Sequence, residues 1–360
     1  MWRFVLTFSL LCWGSEATVS CRNVNNGIVD WYIIYKAPLT SSMYLYIDST
    51  GITKMEPSTP NYKSISDPTG VLANTLEPIF KPIRSMPNEF GFISYNDQPP
   101  GCQANDVFGH SKGVLMMDKH STGVWLLHST PNFPFRRDPN HFWPSTGESY
   151  AQTFICATFN YQEFSNIGNH LQYIGAFPFE YDVPVDFHQE LRDAVNWVKK
   201  PAPNNFRTLT SSGSQGFRSF AKQQNAQPKI GDLYVNIAQL LGSDVSAQTW
   251  TRDQPGSYCV KNMHKVFNVK TVKTDLGDWS ASKDHSKWCV PTDSQTHWTC
   301  IADVNRAPTQ NKRRGGALCI ESEAVQKIFL HFAGITENCL VKNDKDIFDQ
   351  IMDLLSFLRL

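Results

Sequence analysis

The chain has no excess charge of either sign. Lysine and arginine total 33, and aspartate and glutamate also total 33. Tight phosphate binding is driven by basic charge, so a neutral chain is a poor general nucleic-acid binder at pH 7. Past the first residues there is no apolar run approaching the roughly 18 residues that cross a bilayer, which leaves no membrane segment to predict. No Asn-x-Ser/Thr triplet occurs anywhere, so no N-linked glycan is expected. There is no low-complexity tract and no unit repeated three times. Charged residues are 18% and hydrophobic residues 41%, which excludes a disordered chain. The 360 residues are enough for one large domain or two fused lobes. Ten histidines qualify the neutrality. They titrate near ~6.5 when unperturbed, so below about pH 6 the chain becomes cationic.

The opening residues do form a short apolar run. Met1-Trp2-Arg3 precedes Phe4 to Trp13, and Ser15 and Ala17 are small residues where a signal peptidase reads. The expectation is a signal peptide over 1–17 and a mature chain that is lumenal or secreted. Of nine cysteines, Cys12 falls in that leader. The remaining even number favours disulfides. Spacing alone decides little among the pairings; Cys300 and Cys319 are the most local plausible pair.

One tripeptide occurs twice. His110-Ser111-Lys112 and His285-Ser286-Lys287 lie close to half the chain apart. Each is followed by an apolar stretch, a polar break and a return stretch, marked by Trp125 and Trp298. Asn132 and Asn305 then follow at similar distances. The second copy is two residues shorter to both markers, which reads as a shorter turn in a duplicated unit. The halves are expected at 18–200 and 201–360. The Pro- and Asn-rich segment 199–205 would connect them.

Along the chain, 30–36, 89–95 and 154–159 read as strands, and 37–70 as a long surface excursion. Residues 71–80, 186–199, 216–223 and 232–241 read as helices. Val325, Ile328, Phe329 and Phe332 mark another, and 347–358 a terminal amphipathic one. Strands interleaved with helices in two similar halves imply a mixed α/β sandwich.

On a strand, residues two apart share a face, so His and Lys project together with Ser opposite. Lysine supplies a compact positive charge for phosphate oxygens. Histidine supplies a nucleophile or a proton donor. One pair is a weak phosphate site. Two facing pairs complete a phosphoryl-transfer site: one His attacks phosphorus, the other protonates the leaving oxygen, and the lysines neutralise charge. Asn132 and Asn305 could add neutral hydrogen bonds, and His128, on the return strand, either joins the site or is structural. No metal or other cofactor is required by this arrangement.

Duplicated His-x-Lys is the core of the phospholipase D superfamily motif, and the surrounding words resemble deoxyribonuclease II. They include Tyr95-Asn96-Asp97-Gln98-Pro99-Pro100, Gly109 to Leu115, His128 to Pro134, Ser219-Phe220-Ala221-Lys222, Asp284 to Cys289, and Asp303-Val304-Asn305-Arg306. They cover almost the whole mature chain in order. The resemblance implies a phospholipase D-like αβαβα sandwich of two pseudo-symmetric halves. It also implies an acid endonuclease that cuts double-stranded DNA without divalent metal, leaving 3′-phosphate and 5′-hydroxyl ends. His110, Lys112, His285 and Lys287 would be catalytic, and a phosphohistidine would be the intermediate. A lysosomal or secreted location follows, with no oligomeric state assigned. The family's disulfide pattern implies Cys21–Cys156, Cys259–Cys339 and Cys300–Cys319, with Cys102 and Cys289 free or paired. The superfamily's Asp five residues after Lys falls here on Met117 and Thr292. Asp118 and Asp293 are one step further, on the other strand face, and are not carried over.

Other readings compete. His285, Cys289, His297 and Cys300 have loosely zinc-like spacing, but secretory thiols oxidise. Arg136-Arg137 could grip a phosphate backbone or be surface charge. Trp125 and Trp298 are expected in the core. A secreted, non-catalytic DNA-binding or effector protein could keep the fold, and the wider superfamily also acts on lipids. The presence of all four motif residues argues for the enzyme.

Overall fold

The computed structural model describes residues 19–38, 43–222, 224 and 231–339. The leader at 1–17 and the helix expected at 347–358 lie outside these. A short ribbon, β1 (Cys21–Arg22) and β2 (Ile28–Val29), precedes two large sheets. The first sheet holds β3 (Trp31–Lys36), β4 (Tyr44–Asp48), β5 (Gly51–Met55), β6 (Phe90–Asn96), β7 (Lys112–Asp118), β8 (Thr122–His128), β9 (Gln152–Asn160) and β10 (Pro178–Asp182). Its order is β10-β6-β7-β8-β9-β3-β4-β5, antiparallel throughout.

The second sheet holds β11 (Arg207–Thr210), β12 (Gly216–Lys222), β13 (Val245–Gln248), β14 (Val266–Thr274), β15 (Gly277–Ser280), β16 (Trp288–Pro291), β17 (Trp298–Ala302), β18 (Gly315–Glu321) and β19 (Ile335–Thr336). Its order is β11-β12-β18-β17-β16-β13-β14-β15, with β19 on β14; β13 and β14 run parallel.

The helices are α1 (Val71–Leu76), α2 (Glu163–Ile174), α3 (Gln189–Val195), α4 (Leu233–Leu241), α5 (Pro308–Asn311) and α6 (Glu323–Phe332). Three apolar clusters define the layers. Leu72 and Leu76 of α1 pack on the outer face of the first sheet with Tyr32, Phe92 and Val114. Tyr234 and Ile237 of α4 cover the outer face of the second. Between the sheets lie Ile167 and Leu171 of α2, Leu191 of α3 and Phe329 of α6, joined to inner residues of both sheets such as Ile33, Leu115, Val290 and Leu318. That order is the αβαβα sandwich of two pseudo-symmetric halves. Tyr35 illustrates the join: it belongs to the first sheet, yet its ring packs against Trp279, Trp288, Phe329 and Phe332 of the second half. Truncating so enclosed a ring as Phe329 should cost about 3–5 kcal/mol.

Register matches five strands of one sheet to five of the other. Gly113 pairs with Leu127 and Leu127 with Ile155; Trp288 pairs with Ile301 and Ile301 with Leu318. Thus β6, β7, β8 and β9 answer to β13, β16, β17 and β18, and β3 answers to β12. The two marker tryptophans do not answer to each other. Trp125 faces Ala157 while Trp298 faces Glu321, so Thr299, facing Ile320, takes the place of Trp125. A one-residue offset puts the tryptophans on opposite sheet faces: Trp125 between the sheets, Trp298 outside.

Several elements differ from expectation. Residues 216–222 form a strand, not a helix. Phe217, Ser219, Phe220 and Lys222 are all buried, and burial on both faces erases the alternation that betrays strands. The excursion at 37–70 contains the β4–β5 hairpin, whose Tyr44, Leu45 and Ile47 are buried. The helix expected over 186–199 is only α3, because Asn196 caps it and Trp197 turns left-handed at φ 62°. Helix α4 forms as expected, with Asp232 accepting from the Tyr234 and Val235 amides and Gly242 closing it at φ 70°.

Candidate active site

Each His-Lys pair sits where its strand begins, at the entrances to β7 and β16. The two histidines are tied down reciprocally. The His110 amide donates to the carbonyl of Arg314, one residue before β18, at 2.9 Å. The His285 amide donates to the carbonyl of Ala151, one residue before β9, also at 2.9 Å. Since β9 and β18 are equivalent, each half holds the other half's histidine at the same point. Gly109, just before His110, is required by close packing: a Cβ there would stand 1.9 Å from the Ile174 carbonyl oxygen.

The surroundings of the two rings differ. His110 Nδ1 lies 3.2 Å from Asp97 Oδ1 and 3.3 Å from Lys112 Nζ. Lys112 Nζ also donates to Asp97, and Arg313 reaches Asp97 Oδ2 at 3.3 Å. Among the described residues no carboxylate plays this part for His285. Its ring stacks on Tyr150 at 3.9 Å and 12°, and Trp250 lies tilted against it at 4.6 Å and 56°. Its Nε2 is buried without a hydrogen-bond partner. Lys287 donates to the His285 carbonyl at 2.6 Å. Asp284, beside His285, instead accepts from Tyr35 Oη at 2.5 Å and Trp279 Nε1 at 2.8 Å.

Electrostatics tie the pairs into one site. Burial, with the Lys112 and Lys287 charges, outweighs Asp97 and pushes His110 down to about 4. Burial and the charges of Lys287, Lys112 and His110 push His285 down to about 3. Burial and the Lys112 charge lower Lys287 to about 7. Burial alone would raise the Asp97 carboxyl, but His110, Lys112 and Arg313 hold it well below the usual carboxylate range. Asp303 goes the other way: burial lifts it to about 8, against the Gly316 amide it accepts from.

A cleft of about 350 Å³ opens over His285, lined by Gln98, Asn132, Ser149 and Tyr150 among others. It brings Asn132 of the first half beside His285 of the second. Asn132 Nδ2 donates to the carbonyls of Gln98 and Pro99. Asn305 Oδ1 accepts from the Trp250 amide at 3.3 Å. Both therefore grip the turn that leaves the strand next to their own motif. His128 is buried; its Nδ1 accepts from the Thr130 amide, and burial with the Lys112 charge lowers its pKa well below normal. It is a neutral imidazole carrying its proton on Nε2.

Other candidates fall elsewhere. Arg137 is fastened to Glu180 and to the Ile79 and Lys81 carbonyls, while Arg136 is exposed. Asp118 and Asp293 accept from hairpin amides at the far ends of their strands. Cys300 is bonded to Cys319, so the zinc-like set cannot form, and among the described residues no three His, Cys, Asp or Glu side chains gather as metal ligands. Cys21–Cys156 and Cys259–Cys339 are also bonded; Cys102 is an exposed and Cys289 a buried thiol. Asp97, Tyr150 and Trp250 are the site residues that motif reading passed over. Asp97 stood inside a quoted word, but nothing in its spacing pointed to His110.

This arrangement defines a class: proteins that set two His-Lys pairs, one from each half, across a pseudo-twofold axis. Comparison with known proteins narrows the class. The Deoxyribonuclease II family profile matches residues 20–339. Plancitoxin-1 of Acanthaster planci is 34% identical over 91% of this chain and 94% of its own. Deoxyribonuclease-2-alpha of Sus scrofa is 32% identical over 94% and 95%. Deoxyribonuclease-2-beta of Homo sapiens is 30% identical over 92% and 96%. A solved phosphatidylserine synthase of Haemophilus influenzae, 10% identical, aligns over 71% of each chain with a TM-score of 0.35, too distant to bear on function. The chain belongs to the deoxyribonuclease II family and is a DNA-cleaving hydrolase.

Proposed function

We propose that the protein is an acid endonuclease that hydrolyses double-stranded DNA without a divalent metal, giving 3′-phosphate and 5′-hydroxyl ends through a phosphohistidine. The observation that carries this reading is the convergence of the two His-Lys pairs, each within the electrostatic reach of the other. Four cationic or protonatable groups can then surround one phosphodiester.

The asymmetry of the rings supports a division of roles between them. With its proton on Nδ1, His110 donates to Asp97 and keeps the lone pair on Nε2. His110 Nε2 attacks phosphorus; the bond to the 5′ oxygen breaks, and His285 delivers its proton to that oxygen. Water then attacks phosphorus, His285 takes the water proton, and the N–P bond breaks to release the 3′-phosphate. Lys112 and Lys287 neutralise the non-bridging oxygens throughout. Asn132, Asn305 and His128 form the surrounding substrate-binding set: Asn132 from the cleft wall, Asn305 beside the Trp250 amide, and His128 near the Lys112 charge.

Acid pH follows from the donor. His285 must start protonated, yet burial and lysine charges depress it. Bound phosphate cancels part of the lysine contribution and raises its pKa, so the charged donor is populated in acid and with DNA present. Three disulfides suit a secretory-pathway protein that is lysosomal or exported.

The test is plasmid cleavage at pH 5 with chelator, comparing wild type with His110→Ala and His285→Ala. Wild type should nick and linearise the plasmid, neither variant should, and end-labelling should find 3′-phosphates. Cleavage only after divalent metal is added would reject the reading. Binding without cleavage would instead favour a non-catalytic DNA-binding protein.

A further inference from the structure

A second lysine is duplicated. Lys36 ends β3 and Lys222 ends β12. Lys36 faces Gln152, the first residue of β9, and Lys222 faces Gly315, the first residue of β18. Register therefore makes the two lysines equivalent, and both are buried. A buried ammonium must satisfy its donors, and these two do so alike. Lys36 Nζ donates to the carbonyls of Glu148 at 2.8 Å and Tyr150 at 3.0 Å, and of Ala37 at 2.7 Å. Lys222 Nζ donates to the carbonyls of Asn311 at 3.0 Å and Arg313. Glu148 and Tyr150 stand four and two residues before β9; Asn311 and Arg313 stand four and two before β18.

The fixed segments are the ones that grip the histidines, and each grips the histidine of the other half. Tyr150 stacks on His285 and the next carbonyl, of Ala151, accepts the His285 amide. Arg313 reaches Asp97, which holds the His110 ring, and the next carbonyl, of Arg314, accepts the His110 amide. We infer that Lys36 and Lys222 are positioning residues that act across the pseudo-twofold axis. Lys36 sets His285 through Tyr150 and Ala151, and Lys222 sets His110 through Arg313 and Arg314. The catalytic consequence rests on the proposed nuclease reading; the crossed coupling of lysine to histidine does not.

Replacing either lysine by methionine keeps the stem and leaves carbonyls unpaired, so the segment shifts. A displacement near 1 Å at such a site can lower turnover on the order of a hundredfold. The test is histidine ring NMR of the full chain labelled in histidine, with His110 and His285 assigned by their alanine variants. Lys36→Met should move the His285 resonances and its titration while leaving His110 in place. Lys222→Met should do the reverse, and in both kcat should fall with little change in KM. Movement of the same-half histidine, of both equally, or of neither overturns the inference. If a lysine variant does not fold, Tyr150→Leu and Arg313→Met, which leave the lysines intact, must show the same crossed pattern or the inference fails. Crossed shifts in a protein without nuclease activity would reject the nuclease reading alone.

Discussion

Asp97 and Trp250 occupy the same place in the two halves. Tyr95 faces the residue after Lys112, and Gln248 faces the residue after Lys287; Asp97 and Trp250 each stand two residues beyond. Each touches the histidine of its own half, one through a carboxylate and one through an aromatic face. The two half-sites correspond in register, and this one position makes their histidines chemically unlike.

Removing the Asp97 charge should therefore damage the His110 step. Asp97→Asn cannot accept the Nδ1 proton in the same way, and it leaves Lys112 and Arg313 without their carboxylate. Turnover should drop on the order of 10²- to 10⁴-fold, measured as kcat on protein whose near-ultraviolet circular dichroism is native. Activity within a few-fold of wild type would remove Asp97 from the mechanism.

Trp250→Ala should act on the other histidine and in another way. It uncovers one face of His285, and burial is the main cause of that ring's depressed pKa. The pKa should rise, and the alkaline limb of the kcat profile should move to higher pH. A limb that stays in place or moves down would mean that His285 is not the proton donor.

Stability should fall in acid. His110, His128, His170 and His285 all have pKa values lowered by burial. Between about pH 4 and the unfolded value near ~6.5, the unfolded chain binds more protons at these sites, so they contribute stability that is lost as pH falls. Asp303, raised to about 8, works in the opposite direction across that window but is one group against four. The melting temperature at pH 4.5 should lie below that at pH 6.5. A non-cleavable oligonucleotide should restore part of the loss, because bound phosphate favours the charged imidazoles. A melting temperature that rises toward pH 4.5 would show that the histidines are not held neutral.

Asp303→Asn provides the complementary sign. A raised carboxyl keeps its proton in the folded state, so its contribution fades as pH rises from about 4 through 8. Relative to wild type, the amide should be clearly more stabilising at pH 9 than at pH 5, read from thermal melts at both.

Gly109→Ala probes how tightly the approach to β7 packs on the end of α2. The added Cβ meets backbone on both sides, at Ile174 and Arg314, so neither side chain rotation nor a small shift relieves it. Overpacking of this kind costs about 1–3 kcal/mol, and His110 should be displaced with it. Retained activity and an unchanged melt would mean that Gly109 is not packed this closely on the Ile174 carbonyl.

Much of the candidate site was legible in the sequence because the same short word stands in both halves: His110, Lys112, His285 and Lys287 announce themselves as a repeat. Asp97 was not legible, since its contact with His110 depends on two strands pairing in register. Tyr150, Arg313 and the buried Lys36 and Lys222 were hidden for the same reason, their equivalence lying in strand pairing and not in a shared word. Trp125 and Trp298 show the opposite error, with similar spacing concealing a one-residue offset and opposite faces. Among elements, α4 was readable from its Asp232 and Gly242 caps, whereas β12, buried on both faces, imitates a helix.

The central claim is that one phosphodiester is handled by two unlike histidines, with His110 as nucleophile and His285 as proton donor. Bis(p-nitrophenyl) phosphate tests this directly, because nitrophenolate leaves without protonation. In a stopped-flow assay at pH 5, His285→Asn should release about one equivalent of nitrophenol per site and then stall as a phosphohistidine, since nothing activates the water. His110→Asn should release none. A burst from His110→Asn and silence from His285→Asn would contradict the account.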